Sequence, residues 1–414
     1  MKPTLMLFVG TRGVRLADMC NPLDADVVIA TSEDILAARA DTLDESVRAS
    51  HIIRAPHRDD LLRHCLDYPG RVDGALSFSD EMLDVTARYA AARGLPGQPV
   101  ATIDAFRDKY EQRRKLAAAG LPVPPYVEIT APDQAAEALA AVEPPAILKP
   151  TRGSGSALAY VIEDAGQLAP RLREAFAAAP RTGGAVAGDT AFILEGLLVG
   201  QRWHDVDGFA PYVSVESAAV DGRYAHLAVT DRFPLAPPVL ETGMMLPSGL
   251  DDGRQKQVVD VADAALRALD FRHGLAHVEL MLTADGPMVI EVNARSGGAL
   301  PYLFPLAAGL DLVALAGRLA LGDLPSVPPA FERYAVFVAP QHPVGVQVTG
   351  VSGLDGVAAL PGVRAVIPLS TGPVRTDDFR HTMIAAILGT APTPGHAAAL
   401  WRDVMAAVRT EYTP

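Results

Sequence analysis

The chain has 414 residues, 49% hydrophobic and 21% charged, with a formal net charge of −13 and a pI near 5.2. That length accommodates two or three domains with substantial cores. The charge argues against a nucleic-acid or membrane-surface binder and favours small-molecule partners, and no stretch approaches the ~18 consecutive apolar residues of a membrane span.

Cys20 and Cys65 have no metal-ligand spacing, so a reducing, cytoplasmic setting is expected. Lysine is rare: Lys2, Lys109, Lys115, Lys149 and Lys256 are the only five among 36 Lys and Arg, so each invites a reason. The opening MKPTLMLFVGTRG reads as a first buried strand rather than a signal peptide. Apolar runs at 4–9, 25–30, 51–54 and 74–78 alternate with helical patterns such as 34–48 and 59–66, which predicts a parallel sheet. Gly10 and Gly13 lack the full dinucleotide-binding spacing and read as a structural turn. A helix over 80–93 stops at Gly94, and a connector follows at 95–99.

A charged helix is predicted over 104–120, with Lys109 on a solvated face as its plainest reading. The Pro-rich exit 121–125, a short helix over 131–142 and a strand at 146–149 lead to KPTRGSGSALAY at 149–160. Gly153 and Gly155 would let backbone amides approach an anion, Ser154 and Ser156 add hydroxyl donors, and Lys149 supplies a point charge for phosphate. The same residues would also make a flexible hairpin turn, and the loop is not a Walker A motif. An Ala-rich helix at 165–180 and a loose connection at 181–189 precede a strand from Phe192 into Glu195. His204, Asp205 and Asp207 are expected at a solvated hairpin edge. Strands at 212–216 and 224–230 follow, then a loop opening at Glu241-Thr242-Gly243 and an amphipathic helix over 252–269.

Residues 277–298 read HVELMLTADGPMVIEVNARSGG. Period-two alternation on both sides of Ala284-Asp285-Gly286 predicts two antiparallel strands. A three-residue loop with Gly286 left-handed would pair Thr283 with Pro287, Leu280 with Ile290, Val278 with Val292, and Glu279 with Glu291. Two facing carboxylates repel unless one is protonated or a cation lies between them, and Asn293 is one step further along the same face. Such hard oxygen donors suit magnesium, although a solvated face with two ordinary acids has the same spacing. Arg295 and Gly297-Gly298 directly afterwards favour a site. A helix from 309 to 322, a linker at 325–329, strands at 335–338 and 363–368 and a last helix at 395–410 complete the chain.

Taken together, Lys109, the Lys149 glycine loop, the Glu195 strand and the Glu279/Glu291/Asn293/Arg295 hairpin resemble the ATP-grasp superfamily, and within it the carboxylate–amine ligases that include L-amino-acid (dipeptide) ligases. The resemblance implies an α/β chain with an α+β ATP-grasp module: a Rossmann-like domain over 1–103, an ATP-grasp domain over 104–320 with a mobile lobe at about 125–195, and a C-terminal lobe over 321–414. It implies that Lys109 and Lys149 contact ATP phosphates, that Gly153, Ser154, Gly155 and Ser156 cover them, and that Glu195, Gly196, Leu197 and Leu198 hold adenine. Glu279, Glu291 and Asn293 would bind two Mg2+ ions, with Mn2+ as a substitute. Arg295 and Lys149 would be catalytic, and Glu241, Gly243, Ser296, Gly297 and Gly298 would line the acceptor pocket with Arg295. Relatives often carry an acid for the ribose where Arg202 stands, which makes Asp205 or Asp207 the substitutes, and Met244 and Met245 imply a partly apolar pocket.

The expected activity is ADP-forming amide or dipeptide synthesis from small amino acids through an acyl-phosphate, without nucleic-acid or membrane partners and with a homodimer among the allowed assemblies. A ligase of nucleotide or cofactor metabolism and a non-catalytic ATP-binding protein are the alternatives.

Overall fold

The computed structural model describes residues 2–11, 15–39, 43, 46–153, 155, 157–179, 191–324, 329–376 and 382–413. Gly13, Ser154, Ser156, the 181–189 connection and most of the 325–329 linker lie outside the described residues. The four N-terminal apolar runs are parallel strands, Thr4–Phe8, Asp26–Ser32, His51–Ala55 and Gly74–Ser77, ordered third, second, first, fourth. Leu5 and Leu7 enter one core and Met6 and Phe8 another; burial on both faces is why the run is continuous rather than alternating. Among the described residues, the helix expected over 34–48 is Glu33–Ala38. A 3-10 turn, Asp80–Met82, leads into the helix Leu83–Arg93, which Gly94 ends in the left-handed conformation.

The segment expected as one helix over 104–120 is two, Asp104–Arg107 and Lys109–Ala118. The Asp108 carboxylate accepts from the amides of Tyr110 and Glu111 and so starts a new helix. The break sets Lys109 at the first helical position with its side chain 13% exposed, not on a solvated face.

An antiparallel sheet follows in the order Tyr126–Ile129, Phe192–Gly196, Ala146–Pro150, Tyr160–Ile162, with the helices Ala135–Ala141 and Ala165–Ala178 packed in the same core. The largest sheet has eight strands in the order Gly286–Asn293, Gly274–Thr283, Tyr212–Val220, Arg223–Arg232, Gly243–Leu246, Tyr334–Val338, Ala385–Ala391, Val363–Pro368. Gly243–Leu246, expected as loop, is an interior strand: Met244 packs into one core and Met245 into another, so no alternation betrays it. Gly286–Asn293 lies at the sheet edge, where unpaired backbone groups need cover. Gln112 provides it by donating to the Val292 carbonyl at 2.9 Å and accepting from the Val292 amide at 2.8 Å.

Further along, the helix expected over 309–322 is Leu312–Ala320, capped by Asp311, and an additional helix, Leu300–Ala308, precedes it. The last helix is Pro394–Ala407, after which Arg409–Thr413 joins a small sheet with Gln347–Ser352 and Val374–Arg375. Among the described residues no single helix is long and apolar enough to cross a membrane.

Candidate active site

Loop parity in the 277–298 hairpin differs from the prediction. Thr283 pairs with Gly286 around a two-residue Ala284-Asp285 turn, Leu282 with Pro287, and Leu280 with Val289 rather than Ile290. Gly286 has the positive φ the turn needs, +117°. Left alone, that register would put Glu279 and Glu291 on opposite faces. A β-bulge at Ile290 inserts one extra residue, after which Glu279 faces Glu291, Val278 faces Val292 and His277 faces Asn293. The bulge also turns the Ile290 carbonyl outward, where Arg113 Nη2 donates to it at 2.6 Å.

Around the two acids the cations are already paired. Lys109 Nζ lies 2.9 Å from Glu291 Oε1 and donates to the Gly153 carbonyl at 2.9 Å, which ties the start of the glycine loop to the hairpin. Gly155 is left-handed, with φ of +65°. Lys149 Nζ lies 2.9 Å from Glu195 Oε1, and Arg113 Nε lies 2.9 Å from Glu195 Oε2. Burial alone would raise the Glu195 pKa, but two cations overcome it and hold the carboxyl down at about 2. The Lys149 pKa is lowered as well: burial is the main cause, the Glu195 carboxylate opposes it, and the nearby Arg113 and Lys109 charges add to the lowering. One carboxylate shared by one ammonium and one guanidinium group leaves positive charge in excess, a place for an anion.

The Glu195 carboxylate is thus committed to Lys149 and Arg113, whereas Gly196, Leu197 and Leu198 beyond it are partly exposed. Arg202 folds into its own loop, paired with Asp207 and donating to the carbonyls of His204 and Asp205, while Asp205 pairs with Arg254. All three candidates for a ribose contact therefore have surface partners. His204 is not at a solvated edge: it is buried, with Nε2 2.9 Å from Asp231 Oδ1.

On the other side of Glu279 lies a buried charge network that the sequence reading missed. His277 places Nδ1 2.8 Å from Glu216 Oε2 and Nε2 3.1 Å from Glu279 Oε1. Burial opposes a charge on the ring, but these two carboxylates raise its pKa to about 9. Burial also opposes the Glu279 carboxylate, yet His277, Arg232 and Arg295 hold its pKa down. Arg232, 1% exposed, puts Nη2 3.1 Å from Ser214 Oγ and Nη1 3.5 Å from Glu241 Oε1, which Tyr212 also reaches at 3.5 Å. Met244 and Met245 are buried, and Met244 Sδ meets Arg232 Nη1, so neither lines an open pocket. Gly243 has φ of +147°, and a Cβ there would strike the Phe337 carbonyl.

Arg295 Nε donates to Asp80 Oδ2 at 2.6 Å and its Nη1 to the Ser296 carbonyl at 2.9 Å. Asp80 belongs to the N-terminal segment, and it too was missed. Gly297 packs against the His277 ring, where a Cβ would come within 2.9 Å of Cε1, while Gly298 faces open space. Among the described residues no three His, Cys, Asp or Glu side chains converge as a ready metal cage. Lys109, Lys149, Arg295, Glu279, Glu291 and Asn293 are nevertheless linked through shared partners or adjacent register positions, whereas Arg202 stands apart from that set.

Residues 142–301 match the ATP-grasp domain model, a span that includes Lys149, Glu195, the hairpin acids and Arg295 but not Lys109. Carnosine synthase 1 of Gallus gallus is 32% identical over 273 residues, covering 62% of this chain and 28% of that protein. Alanine–anticapsin ligase of Bacillus subtilis (strain 168) is 28% identical over 230 residues, covering 54% of this chain and 48% of that protein. The chain thus spans less than half the length of either relative. The crystal structure of L-amino acid ligase from Bacillus licheniformis superposes with a TM-score of 0.77 at 20% identity, over 100% of this chain and 99% of that one. The chain carries an ATP-grasp domain, and over its whole length it takes the fold of an L-amino acid ligase.

Proposed function

We propose that the protein is an ADP-forming ligase that joins the carboxylate of an amino acid, through an acyl-phosphate, to the amine of a second amino acid or related small molecule. The observation that carries this reading is the run of paired charges Lys149–Glu195, Lys109–Glu291 and Arg295–Asp80 about the Glu279–Glu291 hairpin. Carnosine synthase and alanine–anticapsin ligase, which the chain resembles over 62% and 54% of its length, are both named for synthesis or ligation. Residues 1–103, 104–320 and 321–414 are taken as the three working units, with 125–195 as the lobe that moves.

A carboxylate is a poor acyl donor. Transfer of the ATP γ-phosphoryl group to its oxygen converts it into one with a good leaving group, and catalysis of that step is mainly positioning and charge neutralisation. Lys109 and Lys149 supply positive charge for the phosphates, and Arg295 offsets charge on the acyl-phosphate. Glu279, Glu291 and the Asn293 carboxamide are hard oxygen donors at adjacent register positions, and both carboxylates already draw cations, His277 and Lys109. They fit magnesium, which when bound would neutralise the terminal phosphates. The Gly153–Gly155 loop, tied to Lys109 at its start, would exclude water that otherwise hydrolyses the intermediate.

The test is ADP release from the full chain over pairs of amino acids, with mass spectrometry of the products. Amide products with ADP and phosphate are expected, and AMP with pyrophosphate would sink the phosphoryl-transfer step. Glu291→Gln should lower turnover at saturating magnesium by about a hundredfold or more while the unfolding temperature stays near that of the wild type.

A further inference from the structure

The proposed reaction draws on Glu279 but not on the histidine two residues before it. His277 is buried, on the same face of the strand Gly274–Thr283 as Glu279. Its ring stands between two carboxylates: Nδ1 is 2.8 Å from Oε2 of Glu216, directly opposite on the neighbouring strand, and Nε2 is 3.1 Å from Glu279 Oε1. With a carboxylate against each nitrogen, both nitrogens donate. Glu216 is itself tied down, because its other oxygen accepts from the hydroxyls of Ser214 and Thr230, both fully buried. The ring is held as well. Gly297 packs so closely that a Cβ there would come within 2.9 Å of Cε1, and Arg232 Nη2, which donates to Ser214 Oγ, lies 3.0 Å from Nε2. The two metal-side acids therefore differ. Lys109, the partner of Glu291, ends a long flexible side chain, whereas the partner of Glu279 is a rigid ring fixed on several sides. Glu279 keeps its Oε1 contact, and among the described residues its Oε2 accepts no hydrogen bond.

We propose that Glu216 and His277 are positioning residues: Glu216 orients the His277 ring, and the ring fixes Oε1 of Glu279 so that Oε2 is presented to magnesium. This rests on the metal assignment within the ligase reading above. Neither residue touches substrate or ion. A carboxylate already oriented by the groups behind it has less freedom to lose when the ion binds, and supports of this kind change metal affinity by about 10- to 100-fold. The same ring backs Gly297, so the residue that braces Glu279 also braces the segment that carries Arg295.

Two neutral amides of different length separate positioning from a merely structural role. Gln sets its amide nitrogen near the place of Nε2 and Asn near that of Nδ1, so His277→Gln keeps a donor for Glu279 while His277→Asn keeps one only for Glu216. Mn2+ binding is followed by electron paramagnetic resonance with a non-hydrolysable ATP analogue bound, and ATP binding without metal by calorimetric titration. In His277→Asn the Mn2+ affinity should fall by about tenfold or more, while in His277→Gln it stays within roughly threefold of wild type. Metal-free ATP affinity should be unchanged in both, because Lys109 and Lys149 are untouched. Equal loss of Mn2+ affinity in the two variants, or no loss in either, overturns the proposal, as does a parallel loss of metal-free ATP binding. If the Asn variant does not fold, Glu216→Leu against Glu216→Gln is read the same way, since only Gln still accepts from Nδ1. A wild type that binds no Mn2+ beside the nucleotide overturns the metal assignment and this proposal with it, whereas one that binds Mn2+ but joins no amino acids sinks the ligase reading alone.

Discussion

Glu195 offers a stability prediction whose size follows from two routes. Its carboxylate is 2% exposed, between Lys149 and Arg113 at 2.9 Å each. In Glu195→Gln both cations stay buried without an anion, and removing one partner of a buried pair costs about 3–5 kcal/mol. The second route is linkage. Glu195 titrates at about 2 in the fold against an ordinary 4.5, and at ~1.4 kcal/mol per pH unit the interval amounts to roughly 3 kcal/mol. Because the folded pKa is depressed, this stabilisation is fully present above about pH 4.5 and is lost as the pH falls toward 2. Calorimetric unfolding of the two proteins should therefore show Glu195→Gln lower by roughly 6 °C or more at pH 7, with the gap closing on acidification. Equal transitions at pH 7, or a gap that is constant down to pH 2.5, would refute the reasoning. Nucleotide should also stabilise the variant more than the wild type, since phosphate gives the two cations their missing counter-charge.

Two further changes probe the scaffold. Gly243→Ala forces a side chain into φ of +147° and against the Phe337 carbonyl in an interior strand, so a loss of about 2 kcal/mol or more in urea unfolding is expected. Gln112→Leu strips the Val292 amide and carbonyl of their partners on the edge strand at a cost of about 2 kcal/mol. Faster amide exchange at Val292 in hydrogen–deuterium exchange is the direct readout, and unchanged protection there would contradict the edge-capping role.

How far the sequence reaches can be judged at particular residues. The four N-terminal strands were legible because each is a short apolar run between helical patterns. The facing of Glu279 and Glu291 was also legible, although by the wrong route: loop parity supposes one uninterrupted register, and the bulge at Ile290 changes parity midway along the strand. Nothing in MVIEVN marks Ile290 as the extra residue, since its reason is a carbonyl offered to Arg113 from another element. Arg113 itself could have been found. It lies four residues after Lys109, on the same helical face. Asp80 could not, because its partner Arg295 is 215 positions away. Arg232 and His277 close a network across three neighbouring strands, and only the strand order brings them together.

Lys109 and Lys149, the cations proposed to face phosphate, are each paired with a carboxylate, so binding on that proposal is an exchange of partners rather than the filling of an empty charged pocket. Lys109 occupies one oxygen of Glu291, the same carboxylate proposed to hold magnesium. Metal entry must displace that ammonium, and the displaced ammonium must find a new anion, which the nucleotide phosphates supply. The wild-type protein should for that reason bind magnesium weakly by itself. Lys109→Met removes the competitor and should tighten magnesium binding without nucleotide, severalfold or more in isothermal titration, since a partly buried pair at 2.9 Å is worth about 1 kcal/mol or more. The same variant should bind nucleotide more weakly, having lost a phosphate contact. A Lys109→Met protein whose magnesium affinity is unchanged or weaker would mean that Glu291 does not bind the metal, or that Lys109 does not compete for it, and the exchange would have to be abandoned.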